Sequence, residues 1–205
     1  MTLYALKPRF QSLLRPLAVR LEAAGVTANQ VTVAAALVSC AVGGVVAWAA
    51  HPALFLLLPV WLFLRMALNA LDGMLAREFG QKSVLGAYLN ELGDVVADAA
   101  LVLPFAAIAP FGAASVLTVV FLAALSEYAG AMGPLAGAAR RYDGPLGKSD
   151  RALLFGALGA WIGVVGPLPH WCGWLMPLVA LLLLITTVNR VRRGVAEAQT
   201  SRTTT

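Results

Sequence analysis

The chain has 205 residues, of which 60% are hydrophobic and only 12% charged, with a mean hydropathy of +0.81. This composition excludes an ordinary soluble domain; the length suits one bundle of membrane-spanning helices and leaves no room for a sizeable soluble unit. The net charge of +5 raises a nucleic-acid reading, but no aromatic-interleaved basic patch or nucleic-acid motif accompanies it.

Residues 1–30 mix Lys7, Arg9, Arg15 and Arg20 with Leu3, Tyr4, Leu6, Phe10, Leu13, Leu14 and Leu17. That pattern predicts an amphipathic helix lying at the cytoplasmic interface. No apolar core with a cleavage signal follows it, so no cleaved signal peptide is expected. Thr27 offers an N-cap, and apolar runs then predict six spans near 31–50, 54–77, 84–108, 113–139, 152–165 and 171–188. Residues 31–193 would form the transmembrane domain. Arg190, Arg192 and Arg193 read as a basic stop, and residues 194–205 as a disordered cytoplasmic tail. Cys40 and Cys172 fall in or beside spans and read as packing residues. Gly159 and Gly163 form a small-xxx-small pair that permits close helix contact.

The loops around residues 50–53, 109–112 and 166–171 contain no Lys or Arg, whereas the opposite helix ends are basic. The positive-inside rule therefore places both termini and the polar link at 78–83 in the cytoplasm. The expected location is a bacterial-type inner membrane.

Charged residues inside apolar helices are costly and call for a pairing or functional reason. They concentrate between Arg65 and Asp98. On the second span, Arg65, Asn69, Asp72, Gly73 and Ala76 fall on one helical side; on the third, Gly86, Asn90, Asp94 and Asp98 recur every four residues. The two helices are antiparallel about their link, so residues near it share similar depths. Asp72 and Asp94, with Asn69 and Asn90, can converge into an oxygen-rich cluster suited to Mg²⁺ or Mn²⁺.

The run from Asp72 to Gly86, DG-x2-AR-x8-G, followed by Asp94, resembles the signature of the CDP-alcohol phosphotransferase family, D-x2-DG-x2-AR-x8-G-x3-D-x3-D. The TANQVT stretch from Thr27 to Thr32 resembles that family's entry sequence. The resemblance implies an all-α, polytopic, six-helix enzyme facing the cytoplasm and usually dimeric. It would transfer a substituted phosphate from a CDP-linked lipid such as CDP-diacylglycerol to an alcohol, releasing CMP. Carried onto this chain, it makes Asp94 the general base. Asp72 and Asp94, helped by Asn69, Asn90 and Glu91, become the metal ligands, and Gly73, Ala76, Arg77 and Gly86 the border of the cytidine diphosphate.

Two departures stand out. Asn69 and Asn90 occupy the first and third aspartate positions of the pattern, which removes two negative charges while keeping neutral oxygen ligands. They also support a rival reading, a non-catalytic relative that binds CDP-lipid or nucleotide without turnover. A transporter ranks last, since the deep charges all lie toward one side.

GPLGKSDR, 144–151, is not a Walker A loop, because Tyr142 stands where the first glycine would be. Its Lys148 and Arg151 resemble basic residues the family places beside the site for an acceptor phosphate, which makes a phosphorylated alcohol a candidate acceptor. Arg140 and Arg141 read as headgroup contacts. Arg65 is expected to pair with Asp98, Glu127 or both, closing the floor of the polar cavity.

Overall fold

The structure is a computed structural model that describes residues 7–49 and 51–203, with side chains described for 10–49 and 51–200. Leu3, Tyr4 and Leu6 of the expected interfacial helix lie outside the described residues, as do the side chains of Lys7 and Arg9. Among the described residues there are α-helices and short 3-10 turns but no strand. The helices are α1 (Lys7–Ala23), α2 (Ala28–Ala49), α3 (Leu57–Glu78), α4 (Val84–Val102), α5 (Ala113–Ala131), α6 (Lys148–Val164) and α7 (Leu175–Thr203).

Among the described residues, four segments are long and apolar enough to cross a membrane: Ala28–Ala49, Pro52–Glu78, Ala113–Ala136 and His170–Thr200. With the sequence's mean hydropathy they make this an integral membrane protein. The other two central helices are marked by their polarity and length. α4 carries Glu91, Asp94 and Asp98, and α6 is only 17 residues long with Lys148, Asp150 and Arg151 in its first turn.

Local chemistry sets the helix ends. Thr27 and Gln30 cap α2 reciprocally: the Thr27 hydroxyl accepts from the Gln30 amide at 3.2 Å, and the Gln30 side chain accepts from the Thr27 amide at 2.9 Å. α3 ends at Phe79, and Gly80 takes a φ of +70° that favours glycine. The Ser83 hydroxyl then accepts from the Gly86 amide at 2.9 Å and starts α4. This five-residue link holds α3 and α4 antiparallel with their polar faces together.

α2 packs on both α3 and α4, α5 on α7, and α6 on α3. At the end of the α3–α4 pair far from the link, Phe55, Phe105, Phe111 and Phe155 form an aromatic core. The Phe55 and Phe105 rings meet edge to face with centroids 5.4 Å apart. Gly159 and Gly163 pack against Phe55, Leu56 and Leu58, within the bundle. α1 lies along α3 through Ala18, Leu71 and Met74, and Arg15 pairs with Glu78 at 3.1 Å.

The α2–α4 crossing depends on Gly43. A Cβ there would stand 2.1 Å from the Ala100 carbonyl oxygen, whereas one on neighbouring Gly44 would meet nothing within 4 Å. Gly43→Leu is therefore expected to destabilise the protein by about 1–3 kcal/mol or more, as overpacking does. Gly44→Leu should leave thermal unfolding in detergent unchanged; equal melting temperatures for the two variants would refute the close crossing.

Two elements differ from the sequence reading. α5 stops at Ala131 rather than near 139, because the chain folds back on it. The Arg141 amide donates to the Gly130 carbonyl at 3.1 Å, and Gly130 and Gly133 leave room for the returning backbone. α7 does not stop at Arg190 but continues to Thr203, so 194–203 is helix and not a disordered tail. Glu197 holds this extension to the 139–143 loop: it accepts from the Ala139 amide at 3.0 Å and pairs with Arg141.

Candidate active site

The α3–α4 hairpin brings the expected polar residues into one cleft. Asp94 is its centre. One of its carboxylate oxygens accepts from the Asn69 side-chain amide at 3.3 Å and from Arg65 at 3.2 Å, and also pairs with the Lys148 ammonium at the start of α6. Asp72, one turn further along α3 from Asn69, is buried and accepts from the Thr32 hydroxyl of α2 at 2.9 Å. Asn90 sits one turn before Asp94 on α4 and is half-buried.

Beneath the cleft lies a buried ionic floor. Arg65 pairs with Asp98 as expected, and with Asp94 rather than Glu127. Asp98 also pairs with Arg151 at 2.8 Å. Glu127, on α5, is the hub of the other half: Arg151 at 3.0 Å, Arg190 at 3.2 Å and Arg140 at 3.4 Å all reach its carboxylate. Arg190 also donates to the Ser126 carbonyl at 2.5 Å. Interleaved opposite charges are how such groups become tolerable in a low-dielectric interior.

Five residues meet partners in this network other than those expected. Glu91, expected among the metal ligands, has both its oxygens taken by Arg140, at 2.6 and 2.7 Å. Arg140 is accordingly a partner of Glu91 and Glu127, stacked over Tyr142 at 4.4 Å, and not a headgroup contact. Arg151 is turned inward and only 3% exposed, locked between Asp98 and Glu127 rather than open to an acceptor. Arg190 is 2% exposed and structural, not a solvated stop signal. Asn69, expected as a metal ligand, donates a hydrogen bond to Asp94 here.

Outside the spans, burial disfavours the Arg140 charge. The Glu91 hydrogen bond and carboxylates outweigh it and hold the guanidinium above the usual arginine range. Burial likewise raises the Asp143 carboxyl, but Arg141 and Arg193 overcome this and hold it below the usual carboxylate range. Arg141 thus clamps Asp143, on the loop that leads into α6, to Glu197 of α7.

The glycines of the hairpin keep the cleft rim thin. A Cβ on Gly73 would stand 2.7 Å from the Arg77 guanidinium, and one on Gly86 would stand 2.6 Å from the Asn29 side-chain oxygen. Ala76 packs in the small cluster of Val31 and Leu75. Thr32 and Asn29 therefore bring α2 into the site, although neither carries a charge or metal-binding pattern of its own.

A family model described as CDP-alcohol phosphatidyltransferase matches residues 25–188, which takes in α2 to α6, the whole cleft and most of the apolar part of α7. The chain belongs to this family. It is 49% identical over 195 residues to the inner membrane protein YnbA of Escherichia coli strain K12, covering 94% of this chain and 96% of that protein. The fold is similar to phosphatidylinositol phosphate synthase PgsA1 of Mycobacterium tuberculosis. The form in complex with manganese and citrate has a TM-score of 0.67 and 23% identity, covering 87% of each chain. The form with CDP-DAG bound gives a TM-score of 0.68, covering 87% of this chain and 92% of that one.

For a family member the relevant question is whether the cleft suits a divalent ion. Among the described residues, no three Asp, Glu, His or Cys side chains converge as a ligand set. Two carboxylates remain, Asp72 and Asp94, with the Asn69 amide against Asp94 and Asn90 one turn before it on α4. That donor set fits an ion such as Mg²⁺, which takes one or two protein carboxylates and fills its shell with water and substrate phosphate. A cage closed entirely by protein is not present among the described residues.

Proposed function

We propose that this protein transfers the phosphatidyl group of CDP-diacylglycerol, or a similar CDP-linked lipid, to an alcohol and releases CMP. The observation that carries the reading is the polar cleft of the α3–α4 hairpin, with Asp94 held by Asn69, Arg65 and Lys148 and Asp72 held by Thr32, inside a chain of this family. The alcohol oxygen would bond to the phosphorus bearing diacylglycerol while the bond from that phosphorus to the CMP oxygen breaks. Asp94 takes the hydroxyl proton, as a general base must lie within hydrogen-bond reach of it. For that, Lys148 has to leave Asp94, and its ammonium is then free to face the donor pyrophosphate. Asn69 and Arg65 keep the carboxylate oriented meanwhile, and Thr32 does the same for Asp72.

A divalent ion, Mg²⁺ or Mn²⁺, held by Asp72 and Asp94 with the Asn69 and Asn90 oxygens, would neutralise pyrophosphate charge and stabilise the leaving CMP. Gly73, Ala76, Arg77 and Gly86 would border the cytidine diphosphate. α2 to α7 would supply six spans, with residues 31–193 as the transmembrane domain and α1 lying on the interface beside α3. The absence of Lys and Arg from the three turns at 50–53, 109–112 and 166–171 supports a cytoplasmic site and cytoplasmic termini. A homodimer in a bacterial-type inner membrane belongs to the same reading.

The test is CMP release from CDP-diacylglycerol by purified protein with Mg²⁺ or Mn²⁺, which should require both the metal and an added alcohol. Thr32→Val should lower that rate about tenfold, because a hydrogen bond to a charged group contributes roughly 1.5–3 kcal/mol. Thr32→Ser should restore it; an unaffected Thr32→Val would remove α2 from the site. The presence of Asn69 and Asn90 also favours a second reading, a family member that binds CDP-lipid without turnover. Saturable binding with no CMP release would favour that one.

A further inference from the structure

The charge pairing around the cleft bears on the acceptor, given the phosphatidyl-transfer reading above. A phosphorylated alcohol brings about −1.5 to −2 charges on its phosphate and needs cations free to meet them, arginine forks above all. The arginines are present, but they are already answered from within. Arg140 is held on two sides by Glu91 and again by Glu127, Arg151 by Asp98 and Glu127, and Arg190 by Glu127 and the Ser126 carbonyl. Arg65 serves Asp94 and Asp98, and Lys148, once it leaves Asp94, faces the donor pyrophosphate. The arginines nearest the α6 side of the cleft are thus held by Glu91, Asp98 and Glu127.

Among the described residues, two buried guanidinium nitrogens have no hydrogen-bond partner, Nη1 of Arg151 and Nε of Arg190. Arg151 lines a cavity of about 30 Å³ together with Asp98, Glu127 and apolar residues such as Leu62, Val119 and Phe155. That space suits one or two water molecules and is walled by two carboxylates that would repel a phosphate. Drawing Arg140 toward an anion would strand Glu91, and drawing Arg151 away would take a cation from both Asp98 and Glu127.

We propose that the acceptor alcohol carries no phosphate group, Glu91 and Glu127 occupying the arginines that would otherwise receive one. This replaces the phosphorylated acceptor suggested by the sequence at Lys148 and Arg151.

The experiment pairs each alcohol with its phosphate ester: glycerol with glycerol 3-phosphate, and myo-inositol with inositol 1-phosphate. CMP release from CDP-diacylglycerol with Mg²⁺ is measured for each. Binding of each phosphorylated member, without the donor, is followed by titration calorimetry with wild type, Glu91→Gln and Arg140→Gln. Glu91 lies at the part-exposed rim, so the Gln variant should fold; Glu91→Ser is the second variant if it does not. The expected result is that phosphorylated members give less than a tenth of the CMP release of their neutral partners. They should also bind wild type weakly and Glu91→Gln at least tenfold more tightly. The proposal is overturned by faster release with a phosphorylated member, by saturable binding to wild type that Arg140→Gln abolishes, or by no gain in Glu91→Gln. Absence of CMP release with every alcohol would instead sink the transfer reading, and the calorimetry would still decide the charge argument either way.

Discussion

Asp94→Asn is expected to lower CMP release about 10²–10⁴-fold, the usual contribution of a positioned general base. The substitution keeps the shape and one oxygen, so contacts with Asn69 and Arg65 can persist while proton acceptance and the Lys148 ion pair are lost. The loss of proton acceptance should fall on kcat, because proton transfer is made only in the transition state, and the loss of a carboxylate from the metal set should raise the metal concentration needed for half-maximal rate. Lys148→Met separates the roles: it frees Asp94 but removes an ammonium from the cleft, and it should leave substantially more activity than Asp94→Asn. Equal kcat in Asp94→Asn and wild type would remove Asp94 from the chemistry.

Glu127→Ala is expected to be the most destabilising single truncation of the buried ionic floor, by about 3–5 kcal/mol, the cost of leaving buried charges without a partner. Three arginines from three parts of the chain converge on this carboxylate: Arg140 before α6, Arg151 within it and Arg190 on α7. Arg65→Ala should also destabilise, but less. Asp98 would keep Arg151 and Asp94 would keep Lys148. The order is read from thermal unfolding in detergent. Glu127→Ala melting with or above Arg65→Ala would contradict the hub.

The sequence made the α3–α4 half of the site legible because its logic is local. Asn69 and Asp72 on one helix, with Asn90, Asp94 and Asp98 on the next, repeat at helical spacing about a short link, so their meeting follows from helix geometry alone. The Arg65–Asp98 pair followed for the same reason. Arg140, Arg151 and Arg190 were misread because their partners are distant in sequence, 49 residues for Arg140 and Glu91 and 64 for Arg190 and the Ser126 carbonyl. A basic residue at the end of an apolar run looks the same whether it faces headgroups or turns inward to a carboxylate. Thr32 was seen only as part of the entry sequence, since a hydroxyl on an apolar helix carries no signal until the helix opposite is known. The helical extension of α7 was hidden by a Ser- and Thr-rich composition and is held by Glu197, whose partners Ala139 and Arg141 lie on another loop.

Following the phosphorus decides most directly whether the cleft performs phosphatidyl transfer. Purified protein would be given CDP-diacylglycerol, Mg²⁺ and an alcohol panel, with CMP quantified and the lipids identified by mass spectrometry. The account predicts one new phosphodiester lipid, carrying diacylglycerol, phosphate and the alcohol, for each CMP released, and neither product in Asp72→Asn or Asp94→Asn. CDP-lipid that binds saturably yet yields no CMP with any alcohol or metal would contradict it.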